Sequence, residues 1–117
     1  MVDKAENDPR QPHRAAVPPG WPFTGSPNST AISLRGIFKE GKPILYVARS
    51  KSDGTWQFLD GSDHPRVEDA WVVGLGEVLK HDPSVAAVAN LPRGWVAWRE
   101  SPTAPWERAP GPPGFVS

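Results

Sequence analysis

The hydrophobic and polar positions fall into short runs whose spacing changes along the chain. The most sharply bounded run is Asp53-Gly54-Thr55-Trp56-Gln57-Phe58-Leu59-Asp60-Gly61, closed at each end by an Asp-Gly turn signal. Side chains two apart on a strand share a face, so Trp56 and Phe58 point one way while Gln57 and Leu59 point the other. The aromatic pair is assigned to the core. Upstream, Ile32 and Leu34 alternate with Ser33 and Arg35, Gly36 interrupts, and Ile37-Phe38 resume before the turn cluster Lys39-Glu40-Gly41-Lys42-Pro43. An apolar run follows over residues 44–48, centred on Tyr46. Three consecutive strands joined by short polar turns predict an antiparallel meander, with residues 44–48 its most buried member.

Past Gly61 a polar loop leads to the strand-like Ala70-Trp71-Val72-Val73, bounded by Gly74. Leu75, Val78 and Leu79 then stand at i, i+3 and i+4, the spacing of a short amphipathic helix. Asp82 is a good N-cap and Pro83 a good first residue for a second helix, whose apolar face is Val85, Ala86, Val88 and Ala89. Asn90-Leu91-Pro92-Arg93-Gly94 ends it. Residues 95–100 form a strand with a tryptophan on each face, Trp95 and Trp98, and a short element around 106–108 pairs with it. The pattern predicts one α+β domain over residues 31–108: an antiparallel meander sheet with two short helices packed on one face. Its expected core includes Tyr46, Trp56, Phe58, Trp71, Leu75, Leu79 and Trp98.

Composition changes the picture at the ends. Residues 1–30 are rich in Pro, Gly, Asn and Ser without periodicity, and residues 109–117 are Pro/Gly-rich, so both are expected to be disordered tails. The exception is Trp21-Pro22-Phe23, which is apolar enough to fold back over a sheet edge. A domain this small needs large side chains in its core, and the six tryptophans meet that need. There is no cysteine, so disulfides and thiolate metal sites are excluded. The first residues carry no apolar signal-type run and no later stretch has the length of a membrane span, which predicts a soluble, cytoplasmic protein.

Thirteen basic residues balance thirteen acidic ones, so no global field draws in nucleic acid or an anionic membrane. Asp60, Asp63, His64 and Asp69 are hard-metal or acid/base residue types, but their spacing is not that of a calcium loop, and a surface turn explains them better. Neither a metal nor a cofactor is expected. Gly74-Leu75-Gly76 begins a dinucleotide fingerprint that fails at Leu79. Arg35, Arg49, Arg93, Arg99 and Arg108, interleaved with Trp95 and Trp98, have the make-up of a single-strand stacking surface, but nearby acids match them.

Taken together, Gly54-x-Trp56-x-Phe58-x-x-Gly61, Asp82-Pro83-Ser84-Val85, Leu91-Pro92-x-Gly94 and the closing aromatic-plus-Arg strand resemble a bacterial family. It was long described as a domain of unknown function and later grouped with immunity proteins of polymorphic toxin systems. The resemblance spans residues 44–108. It implies a non-enzymatic α+β module that binds and neutralises a cognate toxin, a task that needs a rigid scaffold and a complementary patch. From exposure and charge, the expected contact residues are Asp60, Asp63, His64, Arg66 and Glu68 of the polar loop, with Arg93 and Arg99 at the rim. Two other readings stand beside it: a small-ligand domain with a Trp-lined pocket, and a hydrolase using His64 or His81 with a nearby Asp.

Overall fold

The computed structural model describes residues 19–62 and 67–111. In chain order the elements are β1 (Thr30–Leu34), α1 (Arg35–Glu40), β2 (Tyr46–Arg49), β3 (Trp56–Leu59), a 3-10 turn (Val67–Asp69), β4 (Ala70–Gly74), α2 (Leu75–His81), a 3-10 helix (Pro83–Val88), β5 (Trp95–Trp98) and β6 (Glu107–Pro110). The six strands form one sheet in the order β4-β1-β3-β2-β5-β6. This is a mixed α+β fold with few helices.

The sheet corrects the expected meander. β1 lies parallel to β3, with Ala31 opposite Trp56, while the other neighbouring pairs are antiparallel. The cause is local. The run over residues 31–38 is not one interrupted strand, because the chain leaves the sheet after Leu34 and turns directly into α1. Gly41 closes that helix in the left-handed conformation, φ 73°, and its backbone N–H reaches the Gly36 carbonyl. α1 carries the chain across one face of the sheet to β2, which runs antiparallel to β1, and the β2–β3 hairpin then returns β3 to the place beside β1, parallel to it. Ile37 of α1 is fully buried beneath this crossover.

Later elements follow the sequence more closely. β4 and α2 begin where the periodicity places them, and Asp82 caps the next segment by accepting from the Ser84 N–H at 3.1 Å. That segment is a 3-10 helix rather than an α-helix, and Val85 and Val88 are its buried residues. The final strand runs through Ala109 and Pro110, so the C-terminal tail begins later than residue 109.

One face of the sheet holds most of the main core. Trp56, Phe58, Val47, Ala97, Ala31 and Val73 pack there against Ile37, Leu75, Val78, Val85 and Val88. The start of the described chain joins this core: Phe23 is buried, with its ring 5.2 Å from Trp56 and edge-on to it, and Trp21 packs on Phe23 at 5.5 Å. Trp56 and Phe58 stack at 5.8 Å. The expectation of a disordered leader is therefore corrected for residues 21–30: Thr30 starts β1, and the Trp21-Pro22-Phe23 segment does fold back. Residues 1–18 and 112–117 lie outside the described residues.

Trp56, Phe58 and Leu75 are buried as expected, while Trp71 and Leu79 are half-buried against the core. Tyr46 is half-buried, and burial pushes its phenol above its ordinary range. Trp98 is corrected outright. It is 36% exposed, because it shares a face with Tyr46 directly across the β2–β5 pair, away from the helices.

Candidate binding surface

The buried polar node of the molecule is centred on Arg99, which follows β5. Its Nε and Nη2 donate to the Ile44 carbonyl at 3.0 and 2.9 Å, and Nη1 donates to Ser84 Oγ and the Pro102 carbonyl at 2.9 and 3.0 Å. Nη2 also donates to Asp82 Oδ2, and the guanidinium lies 4.2 Å over the Trp106 ring. Only 5% of Arg99 is exposed. The expectation that it stands at a contact rim is corrected. A guanidinium supplies five donors in a fixed fork, and every direction of that fork is used inside the fold.

Two other arginines do similar work. Arg49 donates to the Leu91 carbonyl at 2.9 Å and lies 4.9 Å over Trp56. Arg108 donates to the Ala87 carbonyl and to Asn90 Oδ1 at 3.0 and 2.8 Å. The three guanidinium groups thus bind oxygens along the 3-10 helix and the turn after it, where backbone carbonyls lack helical partners. Burial, and then the charge of Arg93, lower the Arg49 guanidinium from its ordinary value. Three of the five arginines that alternate with tryptophan, Arg49, Arg99 and Arg108, are consumed in this stapling.

The remaining expected contact residues do not converge on Arg99. Asp60 turns back on its own loop, accepting from the Ser62 N–H and Oγ at 3.0 and 2.8 Å. Partial burial pushes its carboxyl up, but the Ser62 bonds and the Lys42 charge outweigh this and hold it below its usual range. Asp63, His64 and Arg66 lie outside the described residues. Glu68 is exposed. Arg93 is exposed and lies against the turn at Gly54, where its Nη1 is 3.5 Å from the Ser52 carbonyl. His81 does not pair with Asp82: its ring packs on Phe38 at 4.7 Å, while both Asp82 oxygens are taken by Ser84 and Arg99. Among the described residues no group of three His, Cys, Asp or Glu is placed to hold a metal ion, and no helix is long and apolar enough to cross a membrane.

Two surface features remain. The first is the sheet face opposite the helices. Strand register aligns Val72, Ile32, Gln57, Ala48, Val96 and Ala109 in one row across all six strands. The next row includes Leu34, Leu59, Tyr46, Trp98 and Glu107, so the strands bring a single charge to this face. Ala48 and Val96 form a small buried cluster against which Tyr46 packs, Leu34 and Leu59 on this face are buried with the main core, and the buried helix residues all belong to the main core. The two exposed large apolar residues among those described, Val72 at 66% and Trp98 at 36%, both stand here. Sequence alternation placed Trp98 on a strand, but only the register shows that it shares a face with Val72.

The second feature is an open cleft of about 480 Å³ where α1 and α2 approach β4, lined by Phe38, Lys39, Trp71, Glu77, Lys80 and His81. Lys39 Nζ and the Arg35 guanidinium lie 5.4 and 5.6 Å from the Trp71 ring centre, within cation–π range. Comparison with known proteins returns nothing: no family model, curated protein or solved structure matches the chain.

Proposed function

We propose that the chain is a non-enzymatic protein-binding module that docks its partner on the helix-free face of the sheet. The observation that carries this reading is the placement of Val72 and Trp98, the two exposed large apolar side chains, on the one face to which the strands bring a single charge. Protein interfaces have charge-depleted centres enriched in aromatic residues, and a tryptophan presented by a rigid strand loses little entropy on binding. The use of Arg49, Arg99 and Arg108 within the fold supports the same reading, because these three guanidinium groups are occupied in holding the scaffold.

The motif resemblance adds a finer proposal, that the partner is a bacterial toxin domain neutralised in the cytoplasm. The test is affinity capture of the tagged full chain in its native host, followed by co-expression with each captured protein. Protection of the cell from a captured toxin supports the immunity reading, and stoichiometric capture without protection retains the binding module but removes immunity. Absence of any stoichiometric protein partner removes both. A second reading, a small-ligand domain, is favoured by the Trp71 cleft, whose volume falls in the ordinary range for ligand sites.

A further inference from the structure

The two edges of the sheet are built differently. β6, at one edge, reads Glu107-Arg108-Ala109-Pro110, with two charges and a proline that removes a backbone donor. Such residues block the addition of another strand. β4, at the other edge, reads Ala70-Trp71-Val72-Val73-Gly74 and has none of these devices. Among the described residues it pairs only with β1, and the backbone groups on its outer side have no strand partner among them. Arg35 and Lys39 sit over Trp71 on the core face, leaving the Val72 side unguarded.

We propose that β4 is a homodimerisation edge: two copies of the chain pair their β4 strands antiparallel about a two-fold axis at Val72. The occupant is a second copy because the strand is complementary to itself. With Val72 opposite its own counterpart, Ala70 faces Gly74 and Trp71 faces Val73, so a small residue meets a small one at each end and the single large ring meets a valine. Two-fold pairing of one patch with itself is the commonest route to a soluble dimer. The chain carries no net charge, so no overall repulsion opposes two copies meeting. Pairing sets the two Val72 side chains, the most exposed large apolar groups described, against each other on the helix-free face, so that each covers part of the other. It also joins the two helix-free faces into one twelve-stranded surface. The inference stands independently of the proposed partner of that face.

Five residues a side make a small interface, so the dimer is in reversible exchange with monomer. Sedimentation velocity on the full chain, from about 5 to 200 µM, reads this directly. The expected result is a concentration-dependent shift to dimer that Val72→Lys weakens at least about tenfold, with circular dichroism unchanged. Trp98→Glu, on the same face but away from the edge, leaves the shift in place. A wild-type chain that is monomeric throughout overturns the proposal. So does a dimer that survives Val72→Lys, or one that Trp98→Glu dissolves, since the latter assigns association to the face rather than the edge.

Discussion

Arg99 Nη2 lies 3.0 Å from Asp82 Oδ2, and this ion pair ties the end of β5 to the junction between α2 and the 3-10 helix, seventeen residues earlier in the chain. The arginine side chain is nearly inaccessible while the aspartate keeps 22% of its exposure, so the cation bears most of the desolvation. Its bonds to Ile44, Ser84 and Pro102 offset that cost. The node joins three loops, and the sheet alone would leave them loosely attached.

Replacing Arg99 therefore unfixes all three. Arg99→Met leaves the Ile44 carbonyl and Asp82 without their partner and is expected to cost about 3 kcal/mol in urea unfolding. That is a large share of the about 5–15 kcal/mol available to a domain. Arg99→Lys keeps the charge but cannot fork to four acceptors, and recovers less than half of the loss. A loss below about 0.5 kcal/mol for Arg99→Met would show the node to be ornamental.

The aromatic cluster is the second support. Trp56→Ala and Phe23→Ala each remove a buried ring from the same contact and are expected to cost about 3–5 kcal/mol. Because the rings touch, the double mutant loses less than the sum of the two. Strict additivity would mean that Phe23 is not packed on Trp56.

Trp106 gives a contrasting outcome. Its indole N–H is buried and has no hydrogen-bond partner among the described residues, while its ring supports Arg99. Trp106→Phe deletes the unpaired donor and keeps an aromatic face, so its change in stability stays within about 1 kcal/mol, well short of Trp56→Ala. Thermal unfolding of the two variants side by side makes the comparison.

Acid weakens the fold through two turn carboxylates. The Thr55 N–H, with further bonds to Thr55 and Ser50, holds Asp53 below its usual range. Asp60 is also held low, its partial burial being outweighed by Ser62 and Lys42. A folded-state value below the unfolded one means that the contribution is complete above the unfolded value. It is lost as pH falls through the folded one, so stability declines on acidification below about pH 4. Asp53 is exposed and Asp60 is half-buried in its own surface turn, so the effect is small and screened by salt. Asp53→Asn is expected to flatten the acid limb of the stability profile; an unchanged limb would remove Asp53 from this account.

Much of the fold is legible in the sequence because the signals are local. The Asp-Gly turns bound β3, Gly74 marks the step from β4 to α2, and Asp82-Pro83 announces the next segment. The path of the chain is less legible. Ile37 and Phe38 suit a strand as well as a helix, and only the placement of Gly41 and the burial of Ile37 decide for α1, after which the hairpin from β2 sets β3 parallel to β1. The surface is the least legible part. Arg99 directly follows a strand bearing a tryptophan on each face, and nothing in its neighbours foretells that Ile44, Ser84, Pro102 and Asp82 converge on it. Trp98 looks as apolar as Trp56, and only the helix-free side of the sheet separates the two.

The helix-free face is tested most directly by the affinity of the captured protein partner for variants of the full chain, measured by isothermal titration calorimetry. Trp98→Glu is expected to weaken binding by a factor of about 30 or more, as for a residue at an interface centre, while Arg93→Ala on the Gly54 turn changes it less than about threefold. Undiminished binding by Trp98→Glu together with loss on Arg93→Ala would place the partner on the polar loops and contradict the assignment of this face.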